Sequence, residues 1–289
     1  MEQIHINFPI QSEIQVASDP CVMALGFFDG VHLGHQEIIK RAKAIAERKK
    51  LKLAVMTFFP HPSSVIPKGP KVTHYLTPLP VKAEIFEQLG VDLMYVVEFN
   101  QQVAKIPHEQ FVDDYLCGLN VQHAVAGFDY KYGFKGKGTM EQLTLDSRSR
   151  FAVTTVSKLE KHEQKVGSTL LRELISTGRV EKVNDYLGKD YEMLGRMNGH
   201  GKLIEVKIDP AYFLPCSGSY EVTVAYQGFY AKGICEISSQ AANDQLTIRL
   251  FHESLLGYDE PVVVTWNNFI ADFEMHDFHA QGDMLDVRL

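Results

Sequence analysis

Apolar and polar positions along this chain follow two different rhythms. Up to about residue 190, short apolar runs alternate with stretches whose apolar residues recur every three or four positions. Cys21–Leu25 is unbroken apolar sequence ending at Gly26, and it predicts a buried strand. His35–Lys49 places Ile38, Ala42 and Ile45 on one face with Lys and Arg on the other, which predicts a helix. Leu53–Phe58, Leu93–Val97, Val121–Ala126 and Ala152–Val156 predict four more strands. Pro80–Leu89 and Pro107–Cys117 predict helices; the first has Pro in its opening turn and Gly90 just past its end. Thr169–Ser176 and Val180–Leu187 predict two short helices ending near Gly178 and Gly188. Strands alternating with helices imply a parallel sheet covered on both faces. Such sheets bind ligands at the carboxyl ends of their strands.

From about Gly195 the helical period disappears. Leu203–Ile208, Tyr220–Tyr226, Tyr230–Ile237, Leu246–Phe251 and Val262–Trp266 are strand-like runs separated by turn residues. Short strands with no helix between them predict a small antiparallel barrel. The expected fold class is therefore α/β: a Rossmann-like parallel-sheet domain over 1–190, then a β-barrel domain over 191–289.

Bulk numbers add limits. A length of 289 residues suits one large or two smaller domains. A net charge of −7 argues against general nucleic-acid binding, which requires a basic surface. No run approaches the ~20 apolar residues of a membrane span. Cys21, Cys117, Cys216 and Cys235 form no C-x-x-C pair, so neither a zinc site nor a redox motif is expected. Scattered single cysteines suit a reducing cytoplasm, where the protein is expected. Oligomeric state is not legible.

The strongest local signal is Gly26-Phe27-Phe28-Asp29-Gly30-Val31-His32-Leu33-Gly34-His35, between a buried strand and a helix. Glycines allow close backbone approach, and a helix N-terminus offers free N–H groups to a phosphate. His32 and His35 can face the same anion and donate to it as charge develops. A lone H-x-G-H is equally a glycine-rich turn carrying surface histidines; its place at a strand–helix junction favours function. Pro60-His61-Pro62 follows the second predicted strand, where two prolines stiffen the turn, and Phe59 beside it could hold a flat ring; a plain exit loop fits equally well. Asp129 could bind a ribose hydroxyl, orient a histidine, help place a metal, or simply cap a turn. Ser168 and Thr169 open a helix with Arg172 one turn in. That arrangement caps a helix and also suits phosphate binding.

These segments carry a family resemblance. H-x-G-H at the first strand–helix junction resembles the nucleotidyltransferase superfamily. The longer string G-F-F-D-G-V-H-L-G-H is similar to the bacterial FAD synthetases, the bifunctional riboflavin kinase/FMN adenylyltransferases. Thr57-Phe58-Phe59-Pro60-His61-Pro62, Ala126–Gly133 and Gly167–Arg172 resemble further segments of that family, in order, over roughly 15–195. The resemblance implies AMP transfer from ATP to FMN, giving FAD and pyrophosphate. It implies catalytic roles for His32, His35 and Arg172. Gly26, Phe28, Asp29, Gly34, Asp129, Ser168 and Thr169 would bind ATP, and Phe59, Pro60, His61 and Pro62 would bind FMN. Mg²⁺ would accompany ATP with no protein metal-ligand set, and ATP and FMN would be the partners. Gly167 stands where the family has Ser.

The barrel departs further. The family's riboflavin kinase has a glycine-rich turn leading to Pro-Thr-Ala-Asn, and a later strand bearing a catalytic Glu. Here Gly195–Gly201 runs straight into Lys202-Leu203-Ile204-Glu205-Val206, and Thr247 occupies the Glu position. The family's final helix has little counterpart in Asp277–Leu289. The expectation is an adenylyltransferase without kinase activity. The alternatives are the full bifunctional enzyme, with Glu236 or Glu253 replacing the missing base, adenylyl transfer to nicotinamide or pantetheine phosphates, and a catalytically dead flavin- or nucleotide-binding regulator.

Overall fold

A computed structural model describes residues 1–67, 69–238, 244–254 and 258–271. Its first layer is a six-stranded parallel sheet. The strands are β1 (Glu2–Ile6), β2 (Cys21–Leu25), β3 (Lys52–Phe59), β4 (Leu93–Glu98), β5 (Val121–Gly127) and β6 (Ala152–Val156). They lie in the order β1-β4-β3-β2-β5-β6. The chain leaves β2 toward β3 and β4 on one side and later returns to β5 and β6 on the other. The crevice between the ends of β2 and β5 is thus the topological switch point, where open α/β sheets take their ligands.

Both faces of the sheet are covered, which explains the unbroken apolar runs. In β2, Val22 and Ala24 face a cluster with Ile38, Ile39 and Ala42 of α2 (Leu33–Lys49) and Phe86 of α4 (Leu79–Gln88). Cys21, Met23 and Leu25 face the other side, against Phe111, Tyr115 and Leu116. Between them lie the short helices α1 (Ser12–Ala17) and α3 (Pro62–Val65). The expected helix over 107–117 is one turn of α5 (His108–Phe111) followed by a π-helical turn, Val112–Cys117. Further on come α6 (Met140–Asp146), a two-stranded ribbon of β7 (Glu160–Lys161) and β8 (Gln164–Lys165), and α7 (Ser168–Ser176). The expected helix over 180–187 divides into a 3₁₀ turn, Val180–Lys182, and α8 (Asn184–Leu187). All four cysteines are free thiols.

A closed antiparallel barrel follows: β9 (Tyr191–Ile208), β10 (Gly218–Tyr226), β11 (Phe229–Ile237), β12 (Gln245–Ser254) and β13 (Glu260–Ala271). The strand expected at 203–208 is the second half of β9, which starts twelve residues earlier. Its residues 191–197 pair with β13 and 201–207 with β12, so one bent strand fills two places in the wall. Glycine permits the bend. Gly199 and Gly201 have φ of 115° and 82°, and a Cβ on Gly195 would lie 2.5 Å from Val206 Cγ1. Alternating residues fill the interior, among them Val222, Ile248, Leu250, Val264 and Trp266. Asp277–Leu289 lies outside the described residues.

The barrel is joined to the sheet domain by a shared core. Leu171, Leu174 and Val183 pack in one cluster with Tyr191, Tyr212 and Trp266. A short main-chain bridge adds to it: Tyr75 N donates to Ala211 O at 2.6 Å, and Phe213 N donates to Tyr75 O at 2.8 Å.

Candidate active site

The glycine-rich turn joins β2 to α2 at the switch point. A Cβ on Gly26 would lie 2.9 Å from Phe28 Cζ, so the Phe28 ring packs flat against a position that only glycine leaves open. Phe28 and Val31 both have positive φ, 57° and 43°. Such conformations cost roughly 1 kcal/mol or more each and persist only where neighbours hold them. The holders are specific. The Phe27 carbonyl accepts from Thr57 Oγ1 and from Lys82 Nζ, each at 2.8 Å. The Asp29 carbonyl accepts from Ser168 Oγ at 2.8 Å.

His32 is the N-cap of α2, its Nδ1 accepting from the His35 main-chain N–H at 3.2 Å. An accepting Nδ1 places the ring proton of neutral His32 on Nε2, leaving that N–H available as a donor. The His35 ring stacks on His32 with centroids 3.5 Å apart. Burial pushes His32 down to about 4 and holds His35 well below the usual imidazole range, with the neighbouring His32 and Lys82 charges adding to the effect on His35. Both rings are neutral at pH 7, each with one ring N–H to offer as a hydrogen-bond donor.

That neutrality has a cost in acid. In the unfolded chain both rings protonate near pH 6.5, so below that value the unfolded state binds more protons than the folded one. Stability is therefore expected to fall as pH drops from 6.5 toward 4, by up to about 3 kcal/mol for His32 alone. Urea midpoints at pH 7.5, 6 and 5 would read this, and the decline should be smaller in His32→Gln. A flat midpoint would contradict the burial argument.

A pocket of about 310 Å³ opens above the turn. Gly26, Phe28, Gly34 and both histidines line it together with Asp129, Ser168 and Thr169. Sequence reasoning thus names residues that the fold assembles from three distant segments. It missed Lys158 and Lys165, which also line the pocket. Lys165 Nζ lies 2.5 Å from Asp129 Oδ2 and 4.8 Å from the Phe128 ring centroid. Lys158 is likewise paired, with Glu160 at 2.6 Å, so both ammonium groups stand beside a carboxylate in the empty pocket. Ser168 begins α7 after Gly167, whose φ of −171° is ordinary extended backbone; a Cβ there would meet nothing within 4 Å.

Asp29, Arg172 and the 59–62 segment lie outside the lining of this pocket, in a neighbouring cluster about Phe27. Asp29 is buried and accepts from Arg172 Nη2 at 2.5 Å and from Thr77 N at 3.2 Å. Arg172 Nη2 also donates to the His74 carbonyl at 2.7 Å. The Asp29 carboxylate, which the resemblance assigns to ATP binding, here holds a guanidinium. His61 caps α3, its Nδ1 accepting from Ser63 N at 3.0 Å, and its ring stands edge-on to Phe27 at 4.4 Å. Burial pushes its pKa down to about 4. Phe59 is exposed beside Tyr75, with ring centroids 6.0 Å apart.

Lys82 is the member of this cluster that sequence reasoning missed. It is 2% exposed, lies 4.2 Å from the Phe27 ring centroid, and is pushed down to about 8 by burial. A buried ammonium is costly to desolvate and is expected only where it secures something. Here that is the Phe27 carbonyl. Lys82→Met removes one of the three anchors of the strained turn and should lower kcat about tenfold. Lys82→Arg should recover part of the loss. Unchanged kcat in Lys82→Met would show that Thr57 and Ser168 hold the turn without it.

A parallel sheet with a glycine–histidine turn at its switch point, neutral imidazoles lining the pocket and lysines nearby defines a nucleotide-handling α/β enzyme. Comparison with known proteins narrows this. The FAD synthetase family model matches residues 14–170. The chain is 39% identical to the bifunctional riboflavin kinase/FMN adenylyltransferase of Bacillus subtilis, over 92% of this chain and 89% of that protein. It is 40% identical to the protein of the same name from Listeria monocytogenes, over 93% and 90%. A second Listeria protein, named FAD synthetase, is 29% identical over 76% of this chain and 87% of its own length. A crystal structure titled macrolide-efflux protein, from Streptococcus pneumoniae, superposes with a TM-score of 0.82 at 26% identity, covering 96% of this chain and 93% of that one. The chain belongs to the FAD synthetase family, and it is a nucleotidyltransferase. Among the described residues, no helix is long and apolar enough to cross a membrane.

Proposed function

We propose that this protein transfers AMP from ATP to FMN, giving FAD and pyrophosphate, and that it has no riboflavin kinase activity. The observation that carries the first part is the pocket at the switch point, with neutral His32 and His35 stacked on its wall. An FMN phosphate oxygen attacks the α-phosphorus of ATP. The new O–P bond forms as the bond to the β-phosphate oxygen breaks, and pyrophosphate leaves with the electron pair. The nucleophile is already an anion, so no general base is needed. Catalysis then rests on positioning and charge stabilisation.

In this reading residues 1–190 perform the transfer. His32 and His35 donate to the transferring phosphate. Ser168, Thr169 and the N–H groups opening α7, with Lys158 and Lys165, receive the leaving phosphates. Phe59, Pro60, His61 and Pro62 hold the flavin side, and Arg172, one turn into α7 from Ser168, reaches from that neighbouring cluster to help hold the leaving pyrophosphate. Among the described residues, no group of three or more His, Cys, Asp or Glu could cage a metal. Mg²⁺ would arrive on ATP and keep water and phosphate ligands, with Asp129, a carboxylate lining the pocket, available to assist. Bound there, the ion would neutralise charge on the phosphates. Four free thiols suit a cytoplasmic setting.

For the barrel, residues 191–289, the supporting observation is Thr247. It stands exposed on the outer face of β12, in register with Glu236 and Glu205 on the neighbouring strands. Thr cannot replace a carboxylate as base. Glu236 is exposed on a different strand and does not restore the missing Pro-Thr-Ala-Asn segment. At least seven relatives carry the bifunctional name, and one, at 29% identity, the name FAD synthetase alone. The test of the transfer is pyrophosphate release, which should require ATP and FMN together and stop with EDTA. Release without FMN would point to another acceptor.

A further inference from the structure

The barrel lies against the proposed transferase site, and its contacts there are few and directed. The 209–214 segment, between β9 and β10, is the point of approach. Arg172 Cζ lies 4.7 Å from the centroid of the Phe213 ring. On its other sides the guanidinium is held by Asp29 and by the His74 carbonyl, both through Nη2. Nη1 and Nε make no hydrogen bond among the described residues. The arginine is thus fixed in place with part of its donor fork left over.

The same barrel segment grips Tyr75. Its main chain is bonded on both sides, to Ala211 and Phe213, at 2.6 and 2.8 Å. Tyr75 in turn reaches the other cluster. Its hydroxyl accepts from His61 N at 3.3 Å, and its ring lies 5.9 Å from Phe27 and 6.0 Å from Phe59. One barrel segment therefore touches the supports of both the arginine and the flavin-side loop.

We infer that the barrel is a working part of the adenylyltransferase site, with Phe213 a positioning residue whose ring orients Arg172, while the main chain of Ala211 and Phe213 holds Tyr75 beside the 59–62 segment. The inference rests on the proposed adenylyl transfer. It also gives a barrel without kinase activity a reason to be present. A planar guanidinium on an aromatic face loses its orientation when the ring is removed, and Lys cannot reproduce the stack.

The experiment is a double-mutant cycle on the full chain: wild type, Phe213→Ala, Arg172→Lys, and both together, with Phe213→Tyr as the conservative control. Phe213→Ala should lower kcat/KM for ATP about tenfold and Phe213→Tyr should restore it to within about threefold, with Tm followed in each. In the Arg172→Lys background, Phe213→Ala should cost less than about threefold more, because the partner is already gone. Full additivity, or a loss that Phe213→Tyr does not rescue, would overturn the inference. Binding of a non-hydrolysable ATP analogue, followed by calorimetry, reads the same cycle without turnover. Absence of FAD in wild type would therefore count against the proposed reaction, while the binding cycle still decides the role of Phe213.

Discussion

His35→Ala should lower kcat for FAD formation by two to three orders of magnitude while leaving the fold intact. The ring lines the pocket and stacks on His32 at 3.5 Å, but its Nδ1 is buried without a partner among the described residues. A buried polar atom left unsatisfied costs stability, and a phosphate bound in the pocket would give it a partner. Held neutral by burial, His35 can donate to a phosphate oxygen as charge builds in the transition state. Removal of one such preorganised donor costs about 10²–10³ in rate. KM for ATP should change far less, since the bond strengthens mainly as charge develops. His35→Gln keeps a donor and should retain part of the rate. Activity within about fivefold of wild type in His35→Ala would remove the histidine from the mechanism.

Asp29→Ala should have the largest effect on stability, about 3 kcal/mol or more. Its carboxylate is buried, paired with Arg172 at 2.5 Å, and also accepts from Thr77 N. Removing one member of such a pair leaves an uncompensated charge, and that penalty is typically 3–5 kcal/mol. Arg172 would then move off His74 and Phe213, so activity should fall as well. Urea unfolding of Asp29→Ala and of Asp29→Ala/Arg172→Met separates the two effects. The double variant should recover stability but not rate. A loss below about 1 kcal/mol in the single variant would mean that Arg172 finds solvent or another partner.

Much of this architecture was legible because it is local. The buried strands announce themselves as continuous apolar runs, and the turn from Gly26 to His35 carries its chemistry within ten residues. Edges were harder. Glu2–Ile6 forms β1 but buries only Ile6, so its composition is that of a tail. The first half of β9 was hidden by glycines that serve a bend rather than a turn. Within the site, Lys82 left a trace that went unread. It falls in line with Leu79, Ala83 and Phe86 on the apolar face of α4, and a lysine in that stripe is a buried charge with a task. The setting of Arg172 left no such trace. Its partners Asp29, His74 and Phe213 come from three remote segments, and only the docking of the barrel brings the last of them near.

The proposed single activity, in a chain similar to relatives named for two, is tested directly by product analysis. Two reactions run in parallel with ATP and Mg²⁺, one given riboflavin and the other FMN, and the flavins are separated by chromatography. FAD from FMN with riboflavin untouched is the expected result. FMN or FAD appearing from riboflavin would contradict it and return the barrel to catalysis.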